Sequence, residues 1–283
     1  MNLFLGIHGR SLYLVGFALV VASVQPGAQQ TAIRRPFASR WVLTWSDEFN
    51  GPDGSAPDPA KWIVESGGNG WGNGELQYYT PRRENVRQEK GSLVIEAIKE
   101  KFTGPDKRDY TSGRLKTEGR FSQRYGRFEA RIRVPSGQGL WPAFWLLGDD
   151  FSKVGWPDCG EIDVMENVGS EPATIHGSMH GPGYFGANAL TGAYPLARGR
   201  FSEGFHVFAI EWEPRVVRFY VDGVLYATKT RSDISAEKRW VFDHPFFVIL
   251  NLAVGGSMAG SPNAATTFPQ RMLVDYVRVY SRK

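Results

Sequence analysis

The chain has 283 residues, of which 42% are hydrophobic and 13% aromatic, enough to bury the core of one large domain. Its 33 lysines and arginines are interleaved with 29 acidic residues, and the lack of a basic stripe in the sequence excludes nucleic acid as an expected partner. The single cysteine, Cys159, rules out an internal disulfide, and the sequence offers no Cys/His cluster for zinc.

Residues 1–28 have the layout of a secretory signal peptide. They contain Arg10 and no acidic residue, then an apolar run at 12–22, then small and polar residues. This run is shorter than the ~20 residues of a usual membrane span, and an uncleaved anchor is the alternative. We expect a secreted protein, extracellular or periplasmic, with no stable membrane association after cleavage. Residues 29–40 lack periodicity and predict a linker before one domain at 41–283.

Residues 70–77 form a glycine-rich stretch around Trp71, which predicts a loop that brings backbone and polar side chains near a ligand. Two stretches farther along, 93–98 and 128–134, alternate apolar and polar residues with a period of two. This alternation predicts half-buried β-strands.

The stretch at 141–146 has large side chains on both faces of a predicted strand. Trp141 and Trp145 share one face, and Phe144 and Leu146 share the other. If the second pair fills the core, the two indoles line the opposite surface, where they can stack on sugar rings. The alternative is a strand covered on both sides with both tryptophans in the core. Pro142 predicts an edge or irregular strand.

Three carboxylates fall within the six residues 161–166. In a regular strand Glu161 and Asp163 share one face, whereas Glu166 shares the other with apolar residues. A buried unpaired carboxylate costs several kcal/mol. A β-bulge at Val164-Met165 would return Glu166 to the face of the other two acids, and bulges are frequent beside active sites.

Two glutamates flanking an aspartate on one surface are typical of a retaining glycosidase, whose two carboxyl groups lie about 5–5.5 Å apart. Crowded like charges raise at least one pKa, so that one carboxyl group stays protonated as the acid while another is ionised. The spacing alone does not decide which of Glu161 and Glu166 is the nucleophile. The alternative is that Glu166 lies past the strand end in solvent.

The residues after this strand continue the pattern. Thr174, His176, Ser178 and His180 form one polar strand face, and because consecutive strands often pair, this face is expected to extend the same cleft. Cys159 is interpreted as a packed thiol and not as a nucleophile.

The C-terminal part adds predicted strands at 207–212, 217–221 and 273–280, and an almost continuously apolar one at 246–254 that is predicted to be central. Asp222-Gly223 is a two-residue hairpin signal. No long amphipathic helix is evident from the sequence. The pattern predicts an all-β protein with an antiparallel two-sheet β-sandwich such as a jelly roll.

Together these motifs resemble the laminarinase-like branch of glycoside hydrolase family 16, over nearly all of residues 41–283. The motif Glu-x-Asp-x-x-Glu stands at 161–166, and its six-residue, bulged form looks like laminarinases and not like the shorter lichenase form. Further similar segments lie at 45–49, 70–79, 141–147, 211–212, 219–223 and 274–280.

The resemblance implies a jelly roll with an open concave substrate cleft. It also implies that Glu161 is the nucleophile, Glu166 the acid/base and Asp163 their helper. The sugar-binding residues implied by the same resemblance, with the loop tryptophan included, are Trp71, Asn73, Glu75, Trp141, Trp145 and His180.

Many family members bind a structural calcium ion, and the similar positions here are Glu48, Gly91 and Asp275. Catalysis itself is expected to need no cofactor. The sequence departs from the family pattern at Met258, where many relatives carry tryptophan, which puts the distant glycone subsites in doubt.

The leading hypothesis is a retaining, endo-acting β-1,3-glucanase that works by double displacement on laminarin-type β-glucan, most simply as a monomer. Two alternatives remain open at this point. One is a mixed-linkage β-1,3-1,4-glucanase or galactan-active enzyme of the same family, and the other is a non-catalytic β-glucan-binding protein.

Overall fold

The structure is a computed structural model that describes residues 40–283. The predicted signal peptide and all but the last residue of the predicted linker lie outside the described residues. No helix within 40–283 combines the length and the apolar character needed to cross a membrane.

The described part of the chain is built almost entirely from β-strands. Numbered along the chain, they are β1 (Trp41–Asp47), β2 (Ile63–Val64), β3 (Gln77–Tyr79), β4 (Val86–Glu89), β5 (Ser92–Phe102), β6 (Arg108–Ser112), β7 (Arg114–Lys116), β8 (Gly126–Arg133), β9 (Leu140–Gly148), β10 (Glu161–Glu166), β11 (Thr174–His180), β12 (Leu190–Pro195), β13 (His206–Glu213), β14 (Val216–Val221), β15 (Val224–Thr230), β16 (Phe246–Val254) and β17 (Gln270–Arg282). A single-turn helix, α1 (Phe151–Val154), and 3₁₀ turns at Gly186–Asn188, Phe201–Glu203 and Arg231–Asp233 complete the secondary structure of residues 40–283.

These strands form two sheets, which we call the cleft sheet and the back sheet. The cleft sheet has the order β12-β11-β10-β9-β16-β7-β2. The back sheet has the order β15-β14-β13-β8-β17-β5-β6-β3, with β1 added on β17 and β4 on β5. The pairings are antiparallel except for the short parallel pair β3–β6. The result is the two-sheet antiparallel sandwich that the sequence predicts.

The core lies between the inner faces of the two sheets. From the cleft sheet it takes alternate residues such as Phe144 and Leu146, and from the back sheet residues such as Phe128 and Trp212. Burying these faces removes the large apolar side chains from water, which stabilises the fold by roughly 25 cal/mol per Å² of apolar surface buried. Phe247, Ile249 and Leu147 pack with Cys159 in a second cluster on the outer side of the cleft sheet.

The predicted strands are present with small changes at their ends. Residues 246–254 coincide with β16, which is buried along its whole length as a strand between β9 and β7. Cys159 is a buried free thiol, and burial raises its pKa to about 12.

Of the two possibilities predicted at Pro142, an edge strand or an irregular one, the edge strand is wrong. β9 pairs with both β10 and β16, and Pro142 lies opposite Leu252. The carbonyl of Pro142 accepts from the N–H of Asn167, just past the end of β10. Because the nitrogen and oxygen of one strand residue point the same way, the missing N–H of Pro142 also faces this margin, where β10 has already ended. The interior ladder with β16 therefore tolerates the proline.

Candidate active site

A β-bulge in β10 brings the three acids of this strand to one face. Against β9, Asp163 pairs with Trp145 and Met165 with the next residue, Phe144, so that Val164 is the inserted residue. The register against β11 shifts over the same span. Val164 and Met165 are both buried in the core, and Glu166 emerges on the side of Glu161 and Asp163. The bulge expected from the sequence is therefore present.

The three carboxyl groups line one cleft of about 490 Å³ and have few polar partners there. The indole Nε1–H of Trp141 donates to Glu166 Oε1 over 3.0 Å. His180 Nε2 lies 3.0 Å from Asp163 Oδ2 and 3.8 Å from Glu161 Oε1. Among residues 40–283, no lysine or arginine lies within 4.0 Å ion-pair distance of these carboxylates. Their negative charge is thus left uncompensated by any permanent cation in direct contact.

This environment favours the protonated forms of the acids. Burial raises the pKa of Asp163 to about 8, and burial together with the charge of Asp163 raises the pKa of Glu166 to about 8. Burial and then the charge of Asp163 hold the pKa of Glu161 well above its ordinary value. A proton on one carboxyl group relieves the repulsion felt by the others, so the cluster titrates as a unit. At neutral pH it therefore retains protons that solvent-exposed carboxylates would lose.

Two tryptophans of β9 form one wall of the cleft. Trp141 and Trp145 line it, while Phe144 and Leu146 are fully buried in the core. This is the first of the two arrangements that the sequence leaves open. Indole rings on the surface of a polar cleft provide flat apolar faces for pyranose rings.

The glycine-rich loop forms another part of the cleft lining. Trp71, Asn73 and Glu75 all line the cleft. Glu75 is buried, which raises its pKa, and its Oε2 accepts from Gln77 Nε2 at 2.6 Å and from the hydroxyl of Tyr79 at 3.0 Å. The loop side chains and the acidic strand, which are about 90 residues apart in the sequence, thus face the same space.

Comparison with known proteins decides the family. The sequence model described as glycosyl hydrolases family 16 matches residues 73–278. The chain belongs to glycoside hydrolase family 16. It is 47% identical over 258 residues to a β-glucanase of Rhodothermus marinus, covering 86% of both chains.

Two solved structures of family 16 glucanases have the same fold as this chain. The endo-β-1,3-glucanase of Pyrococcus furiosus is 51% identical with a TM-score of 0.82, over 86% of this chain and 95% of that one. The laminarinase catalytic domain of Thermotoga maritima is 49% identical with a TM-score of 0.81, over 85% of this chain and 98% of that one. The jelly-roll expectation therefore holds for this family 16 chain.

The sequence did not single out Arg114, a cationic residue that lines this cleft. Its guanidinium lies over the rings of both Trp71 and Trp145, 4.6 Å and 4.8 Å from their centroids. Its Nε donates to Glu65 Oε2 over 2.5 Å, and Lys116 binds the other oxygen of Glu65 at 2.8 Å. The alternation around Leu115, which is buried, indicated that Arg114 and Lys116 share an outer face, but nothing local showed which strand lies beside them.

Asn251 is the second residue that sequence reasoning missed. It accepts from Trp145 Nε1 at 2.7 Å and donates to the Tyr79 hydroxyl at 3.1 Å. It thereby links a cleft tryptophan to the hydrogen bonds around Glu75. A usable signal existed, since Asn251 is the polar residue that interrupts the apolar stretch 246–254.

The two histidines of β11 differ in their surroundings. His180 pairs with Glu161 across the strands and faces the acids, whereas His176 pairs with Glu166 but places Nε2 2.9 Å from Glu171 Oε2 at the surface. Near His180, Trp156 also lines the cleft and is 44% exposed. Of the predicted polar face, only the end at His180 contributes its side chain to the acidic cluster.

The positions compared with a calcium site come from two strand ends and a bulge in the strand that pairs with both. Glu48 follows β1, Gly91 precedes β5, and Asp275 lies at the bulge of β17, which pairs with both strands. Arg278 donates to both carboxylate oxygens of Glu48, and Arg131 donates to Asp275 Oδ2 over 2.7 Å. The oxygens left for a cation are main-chain carbonyls and the second oxygen of Asp275, and such hard ligands suit calcium.

Proposed function

We propose that this family 16 protein is a retaining endo-β-1,3-glucanase in which Glu161 is the nucleophile and Glu166 the acid/base. The observation that carries the proposal is the bulge in β10, which aims both glutamates into one cleft. The named relatives, a β-glucanase, an endo-β-1,3-glucanase and a laminarinase, support the β-1,3 linkage. Because both glutamates are present in this chain, the site supports an enzyme and not a non-catalytic glucan-binding protein.

The surroundings of Glu166 support its role. Glu166, whose pKa is about 8, is protonated at neutral pH and can give its proton to the glycosidic oxygen. Glu161 attacks the anomeric carbon as the bond to that oxygen breaks, which leaves a glycosyl ester on Glu161. Glu166 then removes a proton from water, and the water oxygen displaces Glu161 at the same carbon. Two displacements on opposite faces of the sugar give net retention.

The sugar-binding part of the proposal rests on two parts of the cleft lining. Trp71, Trp141 and Trp145 offer ring faces, and Asn73 and Glu75 offer hydrogen-bonding groups on the glycine-rich loop. Hydrogen bonds from Gln77 and Tyr79 fix the carboxylate of Glu75, so it meets a sugar hydroxyl without first being ordered. His180 completes the binding residues at the acidic end of the cleft.

Azide rescue tests the two roles separately. In Glu161→Ala, azide can enter the space of the missing nucleophile and give an α-glycosyl azide while Glu166 still protonates the leaving group. In Glu166→Ala, a substrate with an activated leaving group still forms the ester on Glu161, and azide then gives a β-glycosyl azide. We expect Glu161→Ala to lose detectable laminarin cleavage and Glu166→Ala to lose ~10²–10⁴-fold. Azide products of the opposite anomeric form would overturn the assignment.

A substrate panel tests the linkage. Laminarin, mixed-linkage β-1,3-1,4-glucan, lichenan and agarose should be compared by reducing-end release and by product length. We expect laminarin to be cleaved with the highest kcat/KM and to give a mixture of oligosaccharides, as internal cleavage requires. A higher kcat/KM on mixed-linkage glucan or on agarose would replace the β-1,3 assignment with one of the other family activities.

We also propose a structural calcium ion at Glu48, Gly91 and Asp275, with no cofactor for the chemistry itself. Such an ion would join the end of β1 and the start of β5 to the bulge of β17, so its removal is expected to lower the melting temperature. Chelation followed by calorimetry checks this, with recovery on adding calcium but not magnesium. An unchanged melting temperature in the chelated, metal-free protein would exclude the site.

Finally, we propose that residues 1–28 direct secretion and that the mature protein is a monomer. N-terminal sequencing of protein recovered from the medium or periplasm locates the cleavage. Size-exclusion chromatography with light scattering gives the mass in solution.

A further inference from the structure

Two exposed aromatic side chains, which we call the rim aromatics, lie at the end of the cleft where β10 begins. Trp156, between α1 and β10 in the chain, is 44% exposed and lines the cleft, and Phe185 is 41% exposed. Their ring centroids are 5.2 Å apart and their planes are inclined by 69°, so the two rings meet edge to face. Neighbouring apolar side chains left exposed at the mouth of a cleft mark a binding surface.

Main-chain hydrogen bonds hold the segment that carries Trp156 in place. The N–H of Gly155 donates to the carbonyl of Phe151 at the end of α1, and the N–H of Cys159 donates to the carbonyl of Gly155, both over 2.9 Å. The side chain of Cys159 is fully buried and anchors the segment to the sheet. The indole of Trp156 is therefore offered on an ordered support, so a ligand that binds it loses little affinity to ordering.

Phe185 is tied to the acidic end of the cleft through the residue that follows it. The N–H of Gly186 donates to His180 Nδ1 over 3.1 Å. His180 is paired with Glu161 across β11 and β10, and its ring centroid lies 6.2 Å from that of Trp156. His180 thus connects the rim aromatics to the proposed nucleophile.

The strand order places His180, and the rim aromatics beside it, across β10 from Arg114. In the cleft sheet, β11 lies on one side of β10, whereas β9, β16 and β7 lie on the other. Those three strands carry Trp145, Asn251 and Arg114. An endo-acting enzyme holds sugar units on both sides of the bond that it cuts. A glucan chain bound along Trp145 therefore has to continue past the acids toward the rim aromatics.

We propose that Trp156, held in place by Phe185, stacks on a sugar unit of the β-glucan chain on the side of the acids opposite to Arg114. The proposal rests on the proposed function, because it takes β-glucan as the ligand. A glucose unit carries no charge and presents a flat face of C–H groups, which an exposed indole fits. Neither rim aromatic is among the sugar-binding residues that the family resemblance implies.

NMR can detect this contact without turnover. Indole ¹H–¹⁵N signals are followed in Glu161→Ala, which is expected not to cleave, while the β-1,3-linked hexasaccharide laminarihexaose is added. Trp145→Phe and Trp156→Phe in that background assign two signals by their loss. We expect both signals to shift and to saturate together. A shift of the Trp145 signal alone would overturn this inference and leave the proposed function standing. If neither signal shifts, both fail.

Three substitutions of Trp156 separate stacking from apolar packing. Trp156→Tyr keeps a flat ring, Trp156→Leu keeps apolar bulk without a ring, and Trp156→Ala removes both. We expect kcat/KM on laminarin to stay within about 3-fold of the parent in Trp156→Tyr and to fall about 10-fold in the other two. Equal values for Trp156→Leu and Trp156→Tyr would overturn the proposal.

Val154→Ala is the matched control. Val154 lies in α1 on the same segment and is 49% exposed, but it is not among the residues that line the cleft. We expect its kcat/KM to stay within about twofold of the parent. Melting curves show whether each variant folds. A Trp156 signal that moves with protein concentration and not with laminarihexaose would assign the rim aromatics to contact between two copies of the chain, and would overturn the proposal.

Discussion

The two sheets treat negative charge in opposite ways. On the outer face of the back sheet, the single carboxylate of Glu213 binds three arginines, Arg40 at 2.8 Å, Arg218 at 3.0 Å and Arg282 at 2.5 Å. On β10 of the cleft sheet, Glu161 and Asp163 share one imidazole, and Glu166 accepts a hydrogen bond from an indole. The back sheet therefore neutralises its acids, whereas the cleft concentrates uncompensated acid where a sugar would bind. This difference is what turns an ordinary strand surface into a candidate for proton transfer.

The pKa of a glutamate shifts in opposite directions in the two regions, down at Glu48 and up at Glu166. Glu48, which accepts two hydrogen bonds from Arg278, has a lowered pKa because that side chain stabilises its charge. Glu166, buried beside another acid, has a pKa raised to about 8. A raised carboxyl pKa means that folding favours the protonated form. The stability it supports is therefore complete in acid and is lost as pH rises from the ordinary value near 4.5 through about 8.

The largest expected effect comes from removing the central acid of the cluster. Asp163→Asn keeps the shape but cannot ionise, so it avoids the charge penalty that Asp163 meets as pH rises from about 4 to its folded pKa of about 8. We expect the variant to gain a few kcal/mol of unfolding free energy over the parent at pH 9. Near pH 4 we expect little gain, because both proteins are then uncharged at this position.

Urea unfolding at pH 4, 7 and 9 measures this difference, and laminarin cleavage should fall at the same time. A gain that does not grow with pH would show that the acids of the cleft are as well compensated as those of the back sheet. The contrast between the two sheets would then be lost.

The sequence allowed the acidic strand to be predicted because the signal there is local. In a regular strand, side chains alternate between faces, so Glu166 would lie on the face opposite to Glu161 and Asp163. One inserted residue returns Glu166 to their face, and in β10 that residue is Val164. The strand positions follow from period-two alternation for the same reason. Pro142 was misplaced because the tolerance of a missing N–H depends on where the neighbouring strand ends.

Arg114 and Asn251 show what a single sequence cannot contain. Their roles depend on β16 lying between β7 and β9, although β7 and β16 are more than 120 residues apart in the chain. This strand order puts Arg114 over Trp145 and lets Asn251 accept from the indole N–H of Trp145. Strand order and register are set by long-range packing, so these contacts had no local signature beyond one asparagine in an apolar run.

A smaller effect is expected from removing the single hydrogen bond between Trp141 and Glu166. Trp141 Nε1–H donates to Glu166 and favours its ionised form, so it is the closest counterpart in the cleft to the arginines of the back sheet. Trp141→Phe removes the donor and keeps an aromatic ring. We expect the alkaline limb of kcat/KM, where activity falls as Glu166 loses its proton, to move to higher pH by less than about one unit.

Trp145→Phe is the matched control, because its lost N–H was donated to Asn251 and not to an acid of the cluster. The pH dependence of kcat/KM on laminarin should therefore shift in Trp141→Phe and stay in place in Trp145→Phe, whatever each change does to sugar binding. A shift to lower pH in Trp141→Phe would contradict the role of the indole as a stabiliser of charge.

The smallest effect is expected on the back sheet, where the charge of Glu213 is neutralised by arginines. Glu213→Gln removes the negative charge that holds three arginines together, but these groups are partly exposed and water and salt already screen them. We expect a loss of about 1 kcal/mol or less in unfolding free energy, shrinking further in 1 M salt, with laminarin cleavage unchanged. Urea unfolding at low and high salt checks this. A loss of several kcal/mol that persists in high salt would mean that the back sheet depends on its charges as strongly as the cleft does, and that pairing, and not burial, governs both faces of the sandwich.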